Sequence, residues 1–217
     1  MDHPQMNAEP EPTPEPSASI DWQDSKDTYV PLLRPLQDFL KNITLHGEKP
    51  EFGPLIFVED SAHERMWHSA TSDLSREHGG ILMGEAFEDL SGRFYVAIRA
   101  AVPALESKGS PTHLQFSAES WKPIWDQLHS EPSLKIVGWY HTHPRLGVFL
   151  SGTDLRTQRL YFSAPWQIAV VIDPASRQIG YFWGATGKKT TSIRRFSSKT
   201  ASLDPQPQEQ RGLGDSL

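Results

Sequence analysis

Between residues 52 and 196, short apolar runs bounded by turn residues alternate with stretches of helical periodicity. This alternation restricts the fold more than any other feature of the chain. Leu55-Ile-Phe-Val58, Gly79-Gly-Ile-Leu-Met83, Phe94-Tyr-Val-Ala-Ile98 and Leu134-Lys-Ile-Val-Gly-Trp-Tyr140 read as strands. Ser91-Gly92 supplies a turn between the second and third. Met66, Trp67 and Ala70 share one side of a helix over 60–75, with Leu74 a turn further on. Ser117 is placed to cap a helix through about 129, with Trp121, Trp125 and Leu128 spaced for burial and Pro123 in its early turns. A further helix covers 152–162. Gln167-Ile-Ala-Val-Val-Ile172 and Ile179-Gly-Tyr-Phe-Trp183 pair around Asp173-Pro-Ala-Ser176. Strands and helices mixed at this spacing give an α/β (α+β) domain built on one sheet.

The flanks differ in composition. Residues 1–28 begin with prolines at 4, 10, 12, 14 and 16 interleaved with Glu9, Glu11 and Glu15. Such a segment has too little apolar surface to offset the entropy of ordering, and it is expected to be disordered. The same holds for 197–217. Residues 29–51 form an N-terminal extension in which Leu33, Leu36, Phe39 and Leu40 follow helical spacing, read here as a short helix packed on the core. The tails help lower the apolar content to 37% and hold seven of the 18 prolines in 217 residues.

Charge and cysteine exclude whole classes of function. A net charge of −6 argues against a broad surface for nucleic acid or anionic lipid. With no cysteine there is no disulfide, thiolate metal site or thiol nucleophile. No run reaches the ~18 apolar residues of a membrane span. Met1-Asp2-His3-Pro4 lacks the features of a signal peptide. A soluble, cytoplasmic protein is expected.

The chemistry gathers at the end of the strand 134–140. His141-Thr-His143-Pro144 places two imidazoles two residues apart, and therefore on one face if the strand continues. Ser151-Gly-Thr-Asp154 then opens a helical stretch. Ser151 reads as its cap, and Asp154 suits the positive end of the helix. That role leaves Asp154 free to turn toward a cation held by His141 and His143. Two imidazoles and one carboxylate leave a coordination position open, which for zinc is a catalytic arrangement. A hydrolytic site also needs a proton acceptor that is not a ligand. Glu77 stands just before Gly79-Gly80, where glycines would let backbone and substrate approach closely. Taken alone, Glu77 also reads as a solvated acid at a helix end.

Together, Glu77-His-Gly-Gly-Ile-Leu-Met-Gly84, Gly138-Trp-Tyr-His-Thr-His-Pro144 and Ser151-Gly-Thr-Asp154 resemble the JAB/MPN domain with the JAMM zinc metalloprotease motif. In that pattern a Glu is followed by Gly three and seven residues later, then by a distant His-x-His-Pro. Ser-x-x-Asp begins eight residues after the second His. Each element and local spacing is present, over about 55–185. The resemblance implies a single catalytic domain at 52–196, with a curved mixed sheet flanked by helices. It implies that His141, His143 and Asp154 bind zinc with a water in the fourth position. Glu77 would be general base and then acid, and Ser151 would donate to the oxyanion. It implies hydrolysis of the isopeptide or peptide bond at the C-terminus of ubiquitin or a ubiquitin-like protein. Family members without the ligands act as non-catalytic binding or scaffold modules, and this chain keeps the ligands. Arg145-Leu-Gly-Val-Phe-Leu150 matches the AMSH-type deubiquitinases in length, but the two cysteines of their second zinc site are missing.

Two rival chemistries fit less well. A two-His-one-carboxylate iron site leaves Glu77 without a role. Zinc deaminase ligands require cysteines that are absent. His46, His63, His68, His113 and His129 have no ligand spacing, and His78 reads as a local contact beside Glu77. Trp139 and Tyr140 read as core. Lys188-Lys189 and Arg194-Arg195 read as solvated surface.

Overall fold

The computed structural model describes residues 29–46, 55–104 and 118–198. The expected tail over 1–28, Ser117, His113 and all but two residues of the expected tail over 197–217 lie outside the described residues; Ser197 and Ser198 are not disordered but end a strand, paired with Thr44 and Ile43. Strands are β1 (Leu32–Leu33), β2 (Ile43–His46), β3 (Leu55–Glu59), β4 (Gly79–Glu88), β5 (Phe94–Pro103) and β6 (Lys135–Thr142), then β7 (Ile168–Asp173), β8 (Gln178–Trp183), β9 (Lys188–Thr190) and β10 (Ile193–Ser198). Helices are α1 (Leu36–Lys41), α2 (Asp60–Thr71), α3 (Ala118–Ser130) and α4 (Gly152–Tyr161). The strands make one mixed sheet in the order β2-β10-β3-β5-β4-β6-β7-β8-β9, with β1 beside the far end of β4. The expected α/β architecture is observed. No helix among the described residues is long and apolar enough to cross a membrane.

The apolar runs of the central strands bury both faces, so alternate residues enter different cores. Leu82, Tyr140, Val170 and Ile172 pack on one face with Ala62, Met66 and Ala70 of α2. Ile81, Met83, Trp139, Ala169 and Val171 pack on the other with Ile124 of α3 and Phe162 at the end of α4. Removing a side chain as enclosed as Met66 costs about 2–5 kcal/mol. A third cluster surrounds Phe39, whose ring meets Phe57, Tyr95 and Phe196 within 6 Å. Helix α1 is thus packed on the core, and the strands on either side of it join the sheet, β1 parallel to β4 and β2 antiparallel to β10.

Four local readings change. Leu33 is not on a helix face but in β1, exposed. Trp125 is 53% exposed, although its helix forms as expected. Helix α2 stops at Thr71, short of Leu74. The Thr71 and Ser72 hydroxyls donate back to the carbonyls of Trp67 and Ser69, and Asp73 captures the Ser75 amide, so side chains compete successfully with helical bonding. Arg195 is not merely solvated, since its guanidinium pairs with Asp60 at 2.6 Å.

Two glycines of the Glu77 segment are needed by the sheet itself. Gly80 is paired on both sides, to Pro103 of β5 and Tyr140 of β6. A Cβ there would collide with the Val102 carbonyl and the Tyr140 ring, and one on Gly84 would collide with the Ala97 carbonyl. Gly84 adjoins a register shift between β4 and β5. The close approach that Gly80 and Gly84 permit is that of neighbouring strands.

Candidate metal centre

Three backbone devices bring the site together. Strand β6 runs antiparallel to β4 and parallel to β7, with His141 opposite Gly79 and Val171. Beyond β6 the chain stays extended, because the His143 amide donates to the Ile172 carbonyl at 2.8 Å. His141 and His143 therefore keep the two-residue spacing that puts their rings on one face. On the β4 side, the Thr142 amide donates to the His78 carbonyl at 2.8 Å, and the His78 amide donates to the Thr142 hydroxyl at 2.8 Å. That clamp holds Glu77 against the end of β6.

The third device is the start of α4. Ser151 caps the helix, and its Oγ accepts the Asp154 amide at 3.2 Å. The Asp154 carboxylate accepts the Ser151 amide at 2.7 Å, closing a capping box. This turns Asp154 inward. Its Oδ1 lies 3.3 Å from His141 Nε2 and its Oδ2 lies 3.5 Å from His143 Nε2. The two Nε2 atoms are 3.1 Å apart. Glu77 stands outside this group, its Oε1 3.9 Å from His143 Nε2.

These separations test whether a metal fits. Ligand atoms ~2.0–2.2 Å from a tetrahedral zinc are roughly 3.3–3.5 Å from one another. His141, His143 and Asp154, which are 1%, 3% and 9% exposed, bring their ligand atoms within 4.8 Å of one another, with a different Asp154 oxygen facing each histidine. Two imidazole nitrogens turned toward each other with a carboxylate beside both make a donor set suited to a divalent cation. The residues present fit zinc.

Electrostatics agree with that use. Burial pulls His141 below the usual imidazole range, which keeps it neutral with a lone pair to offer. Burial also pulls on His143, but the neighbouring Asp154 and Glu77 outweigh it and raise it. Burial pushes the Asp154 carboxyl up, yet bonding to His141, His143 and Ser151 holds it well below the carboxylate range. Burial raises Glu77, with Asp154 adding to the effect and His143 opposing it. A raised carboxyl is a better proton acceptor than an exposed one.

Two surroundings escaped the sequence. Asp173, buried, accepts the amides of Arg145, Gly147, Ala175 and Ser176, so it fastens the loop after His143 to the β7–β8 turn. Phe149 on that loop packs against His143, ring centroids 4.7 Å apart. No spacing rule links Asp173 to the loop, because the contact is made by tertiary folding. Gln158 is the other, and its position four residues after Asp154 was a usable signal for a shared helix face.

The pattern of the JAB1/Mov34/MPN/PAD-1 ubiquitin protease family matches residues 56–164. The chain is 38% identical over 139 residues to COP9 signalosome complex subunit 5 of Caenorhabditis elegans, covering 62% of this chain and 36% of that protein. It is 28% identical over 153 residues to 26S proteasome regulatory subunit rpn11 of Schizosaccharomyces pombe, covering 66% and 46%. The chain thus spans less than half the length of these relatives. The solution structure of protein DSY2949 from Desulfitobacterium hafniense is similar with a TM-score of 0.49 and 21% identity, covering 66% of this chain and 94% of that one. The family match takes in Glu77, both histidines, Ser151 and Asp154, and on it the chain belongs to the JAB1/Mov34/MPN/PAD-1 ubiquitin protease family.

Proposed function

We propose that the protein is a zinc-dependent hydrolase that cleaves the isopeptide or peptide bond at the C-terminus of ubiquitin or a ubiquitin-like protein. The observation that carries the hydrolase reading is the buried His141, His143 and Asp154 group, its ligand atoms within 4.8 Å of one another, with a raised carboxyl, Glu77, standing just outside it. Family membership and the likeness to subunits of the COP9 signalosome and the 26S proteasome support the substrate class.

His141, His143 and Asp154 would hold the zinc. When bound, zinc lowers the pKa of its water to about 7 and polarises a carbonyl oxygen. Glu77 accepts a proton from the attacking water and delivers it to the leaving amine nitrogen as the C–N bond breaks. Ser151 spends a lone pair on the helix cap. Its hydroxyl proton serves as the donor to the oxygen on which negative charge develops. Phe149 covers His143 and limits the access of water to that ring. We assign this chemistry to residues 52–196, with 29–46 completing the sheet.

The reading is tested with full-length protein and a fluorogenic C-terminal amide of a ubiquitin-like protein. Cleavage that stops on chelation, returns with zinc and is lost in His141→Ala is expected. Cleavage that survives chelation and the loss of His141 contradicts it. Tight binding of the intact substrate with no cleavage at full zinc occupancy would instead establish a binding module.

A further inference from the structure

We infer that Gln158 is a positioning residue for the metal centre. It acts through Trp139 to set the orientation of the His141 ring and the separation of β6 from α4. The inference rests on the metal site proposed above.

A metal-binding histidine is usually oriented by a hydrogen bond from its second ring nitrogen. His141 lacks one, since its Nδ1 is buried and has no hydrogen-bond partner among the described residues. Its ring is held by stacking instead. The Trp139 indole lies parallel to it, with centroids 4.5 Å apart and planes 9° apart. The indole also stacks on Phe162, at 5.9 Å and 19°. Trp139 and His141 share a strand face because they are two residues apart.

The indole is itself fixed at one atom. Its Nε1 donates to Gln158 Oε1 at 2.7 Å in a buried contact. The Gln158 amide nitrogen donates to the carbonyls of Phe162 at 2.9 Å and Gly184 at 3.2 Å. Two carbonyls on one side and an indole N–H on the other leave the amide a single satisfied orientation. Gln158 is one helical turn beyond Asp154, so both face β6. The strand and the helix therefore meet at two rungs: Trp139 with Gln158, and His141 with Asp154. The first rung fixes the spacing at which the second presents its donor atoms. Gln158 is fully buried, and its amide is satisfied entirely by this arrangement.

The test measures zinc affinity by chelator competition and the visible spectrum of the cobalt-substituted protein, which reports ligand geometry. Thermal stability is followed alongside. Gln158→Leu is expected to weaken zinc affinity 10- to 100-fold and alter the cobalt spectrum. Trp139→Phe keeps a ring beneath His141 but removes the donor. It is expected to act in the same direction, and it carries the test if Gln158→Leu does not fold. The double variant no longer orphans the indole N–H, although the Phe162 carbonyl still loses its donor, so it is expected to regain part of the stability without regaining affinity. Variants that lose stability yet keep wild-type affinity and spectrum overturn the inference. So does a double variant in which affinity recovers together with stability. Wild-type protein that takes up no zinc overturns the metal reading itself, which separates the two failures.

Discussion

Thr142 and His78 exchange two hydrogen bonds across the ends of β6 and β4, one from each backbone amide, both 2.8 Å long. Thr142 separates the two histidines in sequence, and His78 follows Glu77. The pair therefore couples the strand that carries two of the proposed ligands to the segment that carries the proposed proton acceptor. His141 and His143 project to the face of the strand opposite the Thr142 side chain.

Thr142→Val removes the hydroxyl and leaves the His78 amide without its partner. The unpaired donor is expected to cost about 1–3 kcal/mol of stability. The displaced Glu77 is expected to lower kcat about 10- to 100-fold with zinc retained. Thr142→Ser restores the acceptor and should recover most of both. Denaturant titration, zinc analysis and steady-state rates on the three proteins check this. Wild-type kcat in Thr142→Val would show that the clamp does not position Glu77.

Gly84→Ala is expected to destabilise the fold by about 2–3 kcal/mol or more, because the obstruction is the Ala97 carbonyl of the adjacent strand and not a movable side chain. Gly152→Ala, at a helix position with open space, serves as the control and should be close to neutral or mildly stabilising. Chemical denaturation of both variants makes the comparison. Equal stability would mean that the shift in β4 does not need a glycine.

Asp60 links β2, α2 and β10. Ser197 donates to it at 2.6 Å, Arg195 pairs with it at 2.6 Å, and His46 lies 2.9 Å away. The Ser197 hydroxyl holds its pKa down; burial opposes, Arg195 and His46 assist, and the value settles at about 2. A depressed carboxyl stabilises the fold above its unfolded pKa of about 4, and the effect fades as pH falls toward 2. Because the group is partly exposed, Asp60→Asn is expected to cost only about 0.5–1 kcal/mol at pH 7. The difference should shrink below pH 4. A difference that grows in acid would contradict this linkage.

Much of the fold was legible because it rests on local pattern. The strands at 55–58, 79–83, 94–98, 134–140, 167–172 and 179–183 carry long apolar runs, and the helices carry periodicity. The strands that were missed have no such signature. Lys188–Thr190 is polar, and Ile193–Ser198 buries only Phe196 fully. Pairing partners far away in sequence, such as Ile56 for Ile193, make them strands. At the site, His141, His143 and Asp154 were readable from spacing and resemblance, and the structure brings them together. The supports were not. Asp173 and the stack on Trp139 depend on which elements lie side by side, and the role of the glycines depends on how closely β4 approaches β5.

The central claim is that Glu77 moves the proton and does not hold the metal. The most direct measurement is the zinc content and kcat of Glu77→Gln, taken on the same preparation with a ubiquitin-like C-terminal amide. The amide side chain keeps the shape but cannot accept a proton. About one zinc per chain with kcat lowered at least ~100-fold is the expected result. Full zinc with turnover near wild type, or loss of the zinc itself, would contradict it.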